Sequence, residues 1–264
     1  MDALLADLKY GIRMLLKTPG LTVVSVLTIA LGVGLTTHTF SSVYGSVIRG
    51  LPFDEGTKLA RLSEEIVETG DRGNGIPYLD LLDWREEQTS FRGIAALTTG
   101  TVNVADEGNP PERYDGAFVS ANVFEQVDAV PVMGRAFSAS EDAGLGEPVI
   151  ILGYDVWQSR YAGDPNIVGR TLRANGRQTT VVGVMPEGFH FPFQEDVWLP
   201  LGIDPLQAER GTNRVLAVGR LLEGVTMEQA NVQMDQIAAR LATEYPETNE
   251  GVSALYGKAS VAFA

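Results

Sequence analysis

From Leu21 to Ile48 the chain reads LTVVSVLTIALGVGLTTHTFSSVYGSVI, 28 residues without an Asp, Glu, Lys or Arg. At about 1.5 Å of rise per residue such a stretch reaches ~42 Å as a helix. That is enough to cross a hydrocarbon core of about 30 Å with some tilt, and it predicts a transmembrane helix over 21–48. Ser25, Thr28, Gly32, Leu35, Thr39, Ser42 and Ser46 recur within it at steps of three and four, and all but Leu35 are small or hydroxylated. A seam of that kind lets a second helix approach closely and gives the hydroxyls partners, whereas a lone anchor facing lipid gains nothing from it. The competing use of the hydroxyls is back-bonding to carbonyls of their own helix. The seam of Ser25, Thr28, Gly32, Thr39, Ser42 and Ser46 therefore predicts neighbouring membrane helices. The sequence holds no second apolar run of comparable length, so those neighbours are expected from another chain or from a portion beyond these residues.

Ahead of the span, Leu4, Leu5, Leu8, Ile12, Leu15 and Leu16 share one helical face, with Asp7, Lys9, Arg13 and Lys17 away from it. Residues 1–20 read as an amphipathic helix at the membrane interface, with Lys9, Arg13 and Lys17 toward anionic headgroups and a break at Thr18-Pro19-Gly20. A cleaved secretory signal is the competing reading, but its charged leader would be long and no A-x-A site follows the apolar part. Lys9, Arg13 and Lys17 before the span balance Arg49, Lys58 and Arg61 after it, so the positive-inside count leaves the orientation open. A cationic first helix suits the anionic cytoplasmic leaflet, which favours the N-terminus inside and the main domain outside.

Beyond the span the periodicity becomes that of a mixed α/β domain. A strand is expected at Leu59–Ile66, then a loop through Gly70, Gly73 and Gly75. Pro77 opens a helix with Tyr78, Leu81, Leu82 and Trp84 toward a core and Asp80, Asp83, Arg85, Glu86 and Glu87 toward water. Strands follow at Ile94–Val104 and Tyr114–Val119, with Pro110 and Pro111 in the loop between them, and a short helix at Ala121–Gln126. Pro148–Leu152 reads as a strand and Tyr154–Tyr161 as a helix with Trp157 on its buried side. Asn175-Gly176 predicts a type I′ hairpin between strands 170–174 and 177–185, because that turn needs positive φ at both positions. Further strands are expected at Asp196–Pro200 and Val215–Leu221. Thr226 caps a helix, Met227–Glu244, that places Ala230, Met234, Ile237, Ala238 and Leu241 on one face and stops at Tyr245-Pro246.

The apolar share of 44 % supports a packed core over disorder. The formal net charge of −14 is unevenly spread: residues 51–264 hold 16 basic against 32 acidic side chains. That acidity disfavours nucleic-acid binding, which needs cations to replace phosphate counterions. With no cysteine, disulfides, thiolate metal sites and Cys nucleophiles are excluded. Gly257-Lys258 is followed by Ala259 where a phosphate-binding loop needs Ser or Thr, and neither H-E-x-x-H nor G-x-S-x-G occurs. The expectation is a non-enzyme with no catalytic, cofactor or metal site. His38, past the middle of the span, reads as an interhelical hydrogen-bond partner rather than a proton relay, and His190, between Phe189 and Phe191, as part of an aromatic turn. Gly134-Arg135, Gly169-Arg170 and Gly219-Arg220 read as turns or strand entries.

Taken in order, these segments resemble the permease subunits of macrolide-exporter-like (MacB-type) ABC transporters. The resemblance rests on the amphipathic start, LGVG and FSSVYGSVIRGLPF in the span, YLDLLDWRE, VSANVF with MGRAFSASED, VIILGYDVWQSRYAGDPNIVGRTLRANGRQTTVVGVMPEGFHFP with VWLPL, and GRLLEGVTMEQA with RLATEYPETN. It implies an α+β periplasmic core domain over 55–264 with two lobes, the first from about 55–115 and 212–264 and an inserted one from about 116–211. It also implies residence in the bacterial cytoplasmic membrane, ATP bound by a partner ABC ATPase subunit rather than by this chain, and packing against further permease helices or a second permease copy. Relatives continue into three more membrane helices beyond the point where this sequence ends at Ala264, and they tend to carry a small or apolar residue where His38 stands. The reading from a different class is a single-span, membrane-anchored extracytoplasmic binding protein without transport activity.

Overall fold

The computed structural model describes Tyr10, Arg13, residues 16–43, 59–69, 71, 72 and 75–258, and the chain divides into two units, Met1–Arg49 and Gly50–Ala264. In the first unit, helix α1 spans Pro19–Val43. The bend falls at Thr18, so Pro19 takes the first helical position, where a missing N–H costs nothing, and Gly20 is already helical. Tyr10, Arg13, Leu16 and Lys17 are helical and exposed. Among the described residues no helix is long and apolar enough to cross a membrane. The side chains of Leu35 and of residues 38–43, and all of residues 44–48, lie outside that description.

The second unit is built on one twelve-stranded sheet. Its first half is a split β-α-β-β-α-β arrangement: β1 (Leu59–Ile66), α2 (Tyr78–Glu87), the start of β4 (Phe91–Asp106), β11 (Arg214–Leu221), α6 (Met227–Glu244) and β12 (Val252–Lys258). The strands lie in the order β12-β1-β11-β4, all antiparallel. Both helices cover one face, where Tyr78, Leu81, Trp84, Met234, Ile237 and Leu241 close on Ala60, Leu62, Ile94 and Ala217. Thr226 caps α6 through a box with Gln229, and its buried face is Ala230, Met234, Ile237, Ala238 and Leu241, as the periodicity predicts. Two small strands border this half, β2 (Asp71–Arg72) on β1 and β3 (Ile76–Pro77) on β11.

The chain between β4 and β11 closes a ring of pairings. It adds β5 (Asn109–Val119), β7 (Val149–Leu152), β8 (Thr171–Ala174), β9 (Arg177–Val184) and β10 (Val197–Pro200). β4 pairs with β5, β5 with β10, β10 with β7, β7 with β9, β9 with β8, and β8 returns to β4. Val102, Val104, Ile150, Leu152, Leu172, Val181 and Val197 form one buried cluster inside it. β6 (Met133–Gly134) lies on the outer edge of β9. Helices α3 (Val123–Gln126), α4 (Ala139–Asp142) and α5 (Tyr154–Tyr161) sit on the connections. A third core layer, away from α2 and α6, gathers Leu59, Leu97, Phe124, Phe137, Phe189 and Trp198. In it Phe189 lies 5.3 Å from Trp198, whose indole N–H donates to the Phe191 carbonyl at 2.8 Å.

The hairpin at Asn175-Gly176 forms with φ of 50° and 81°, between β8 and β9. Several expectations are corrected. Asp80 is buried at 1 % exposure rather than facing water, because Arg210 and Asn249 supply the partners that water would. Arg85 is drawn in too, donating to the Ile94 carbonyl at 2.8 Å. Pro110 and Pro111 belong to β5 and not to a loop: they sit at the register shift between Val104 and Asp106, where the ladder requires no N–H, and Gly108 at φ 96° makes the turn. Gly219-Arg220 lies inside β11, at its own register shift. Trp157 is half-buried, its N–H bonded to the Asp164 carbonyl, while Val156 and Tyr161 fill the core side of α5. β2 interrupts the expected glycine loop, and β12 pairs along β1 although no periodicity announced it.

Candidate functional site

The seam residues fall on α1 as far as they are described. Ser25, Thr28 and Gly32 are exposed, one to two turns apart. Thr28 donates to the Val24 carbonyl at 2.8 Å and Thr36 to that of Gly32 at 2.8 Å, the back-bonding available to hydroxyls in any helix. Among the described residues, nothing outside its own helix stands within 4 Å of the position a Gly32 side chain would take. Thr39 and Ser42 are helical with side chains outside the described residues, and Ser46 and Lys9 lie wholly outside them. Arg13 and Lys17 are exposed, a turn apart before the Thr18 bend.

In the domain, the structure brings charges together that no spacing foretells. Arg160 on α5 is 3 % exposed and binds Asp106 at 3.1 Å, Glu112 at 3.1 Å and the Pro110 carbonyl at 3.0 Å, pinning the helix to the β4–β5 turn. Burial and the neighbouring Asp106 push Tyr161 up to about 12. On the other half, Arg214 at the head of β11 reaches Glu64 of β1 at 2.5 Å and the Gly75 carbonyl at 2.6 Å. Burial outweighs that charge and raises the Glu64 carboxyl to about 7, since the Arg214 side chain stays 37 % exposed and hydrated. Arg210 binds Asp80 and, at 2.9 Å, Asp83, and lies 3.6 Å over the Tyr245 ring; Asn249 donates to Asp80 at 3.0 Å. These clusters bind strands and helices to one another. His190 contacts the Glu195 carbonyl at 3.4 Å and lies 3.9 Å from Asp155. Among the described residues no group of His, Asp or Glu is placed to hold a metal ion.

The model of the MacB-like periplasmic core domain matches residues 22–237, most of the chain. The chain belongs to that family. Its fold is similar to the periplasmic region of MacB from Actinobacillus actinomycetemcomitans, at 13 % identity and a TM-score of 0.55, covering 78 % of this chain and 91 % of that one. It is also similar to the extracellular domain of the noncanonic ABC-type transporter YknZ from Gram-positive bacteria, at 14 % identity and a TM-score of 0.54, covering 75 % and 99 %. A domain of a putative permease from Porphyromonas gingivalis gives 16 % identity and a TM-score of 0.55, covering 79 % and 90 %. No curated protein gives a significant match. For a MacB-like periplasmic core domain the informative features are its ion-pair clasps and the helix that precedes it. Sequence patterning misses the clasps because their partners are far apart: Asp80 and Arg210 are separated by 130 residues, Glu64 and Arg214 by 150. The match begins inside α1, so the family's pattern includes most of that helix together with the domain.

Proposed function

We propose that this chain is the N-terminal portion of an ABC transporter permease that couples the ATP-driven motion of a partner ATPase to an extracytoplasmic domain, for export or envelope transport. The observation that carries the reading is the family match across a domain preceded in the chain by a 25-residue helix, with no acidic or basic side chain from Thr18 to Ile48. In this reading Leu21–Ile48 is the single span of the chain, residues 1–20 lie on the cytoplasmic face of the bacterial inner membrane, and residues 55–264 stand outside as two lobes. The seam from Ser25 to Ser46 packs against further permease helices or a second permease copy. The role of the chain is mechanical, without a catalytic site or cofactor of its own, and the ATPase subunit binds the nucleotide.

Topology supplies the test. The chain has no cysteine, so single cysteines at Lys17 and at Leu206, which is 94 % exposed, are unique reporters. In spheroplasts a membrane-impermeant maleimide labels Leu206→Cys directly and Lys17→Cys only after permeabilisation. Labelling of both from one side, or of Lys17→Cys alone, overturns the arrangement.

A further inference from the structure

The chain that returns from β10 to β11 carries its own fastenings. Gly202 at φ 66° and Gly211 at φ 82° bracket residues 203–210, two left-handed positions that glycine adopts without strain and that let the backbone turn sharply at either end. At the first end the Gly202 N–H donates to the Asp142 carbonyl at 3.0 Å. At the other, Arg210 closes on Asp80 and Asp83 of α2 and stacks on Tyr245. Between them Ile203 and Ala208 pack against the core under α2 and α6, while Leu206 is almost wholly exposed. The segment has no helix or strand of its own, and its inner hydrogen bonds are local turns on Asp204. It is therefore held in place by the core contacts and the Arg210 end.

A polar group at its first end is incompletely satisfied. Asp142 Oδ1 is buried without a hydrogen-bond partner, and the Gly202 N–H donates to the carbonyl of the same residue. A buried acceptor of this kind bonds to water whenever it can enter, so it favours a state in which the cover lifts.

We propose that residues 203–210 form a hinged strap, clasped shut by Arg210 on Asp80, whose release turns the strap about Gly202 and Gly211 and admits water to Asp142. The strap lies on the return connection between the closed strand ring and the helix-bearing half, so its state sets how firmly that connection is tied to α2. The device is a property of the domain and holds whether or not the chain serves a transporter.

A thiol on the core-facing side of the strap tests it. In the full chain reconstituted in nanodiscs, Ala208→Cys is the only thiol and reports strap opening through its rate of reaction with a soluble disulfide reagent. A second reporter, Ala238→Cys on the buried face of α6, reports global opening. Arg210→Gln is the releasing variant, and Asp80→Asn tests the same clasp from its buried side. Arg210→Gln is expected to speed labelling at position 208 by about tenfold or more, the worth of one charged hydrogen bond, and to leave position 238 unchanged. Equal acceleration at both positions, or none at 208, overturns the strap. If Asp80→Asn fails to fold, the Arg210→Gln comparison decides alone.

Discussion

Replacing Glu64 by Gln should change how the stability of the domain depends on pH. Glu64 is 5 % exposed, and burial lifts its carboxyl from 4.5 to about 7 against the pull of Arg214, with Asp80 adding to the rise. Between those two values the folded domain holds a proton that the unfolded chain has released, so stability falls as pH rises through the window. The neutral form carries no penalty below about 4.5, and the full penalty is present above about 7. Two to three units at ~1.4 kcal/mol each give about 3 kcal/mol, and relaxation around the Arg214 guanidinium reduces this to about 2 kcal/mol. Gln keeps the shape and an acceptor for Arg214 but cannot titrate. Arg214 retains the Gly75 carbonyl and its contact with water. Urea unfolding followed by tryptophan fluorescence, at pH 5, 6, 7 and 8 and constant ionic strength, measures the difference between Glu64→Gln and the parent. That difference should move in favour of the variant by about 2 kcal/mol between pH 5 and pH 8. A constant difference across the range would show that Glu64 is ionised throughout and that Arg214 outweighs its burial.

If the chain belongs to a transporter permease as proposed, Gly32→Leu should abolish its assembly or transport while Leu31→Val leaves both near normal and neither alters membrane insertion; identical behaviour in a co-purification and transport assay would reduce the seam to local back-bonding. A labelled peptide of residues 1–17 should partition into anionic vesicles more strongly than into zwitterionic ones at low salt, and equal partitioning would remove the role given to Lys9, Arg13 and Lys17. Gly153→Ala places a methyl 2.6 Å from the Asp196 carbonyl oxygen, a backbone atom at the entrance to β10, and should cost about 1–3 kcal/mol in the same urea assay; a loss under ~0.5 kcal/mol would mean that the approach relaxes freely.

Where the determinants of an element are local, the sequence is readable. Thr226, Gln229 and the apolar stripe of α6 lie within one stretch, and Asn175-Gly176 needs only its own backbone angles. β12 is different: Val252–Lys258 becomes a strand because β1, nearly 200 residues earlier, offers it an edge. Asp80 looks like one more acidic residue on a solvated helix face until Arg210 and Asn249 arrive from the far end of the domain. Pro110 and Pro111 mislead for a related reason, since a proline that ends an isolated strand is tolerated at a bulge. Residue 115, near which the resemblance implies that the first lobe's opening segment ends, lies within β5. Of the seam and the cationic helix, Thr28 and Gly32 are helical on α1, while Lys9 and Ser46 lie outside the described residues.

The 16 residues of β4 run without interruption from the helix-bearing half into the closed strand ring, about 50 Å at the usual rise of a strand. For its first part β4 is flanked by β11, and for most of its length by β5. A ribbon bonded in this way resists stretching far better than it resists flexing. A push delivered at Phe91 therefore reaches Asp106 as displacement instead of being lost in a slack joint. Flexing between the two halves is resisted by this ribbon together with the core in which Leu59, Leu97 and Val218 of one half pack with Phe124, Val182 and Trp198 of the other.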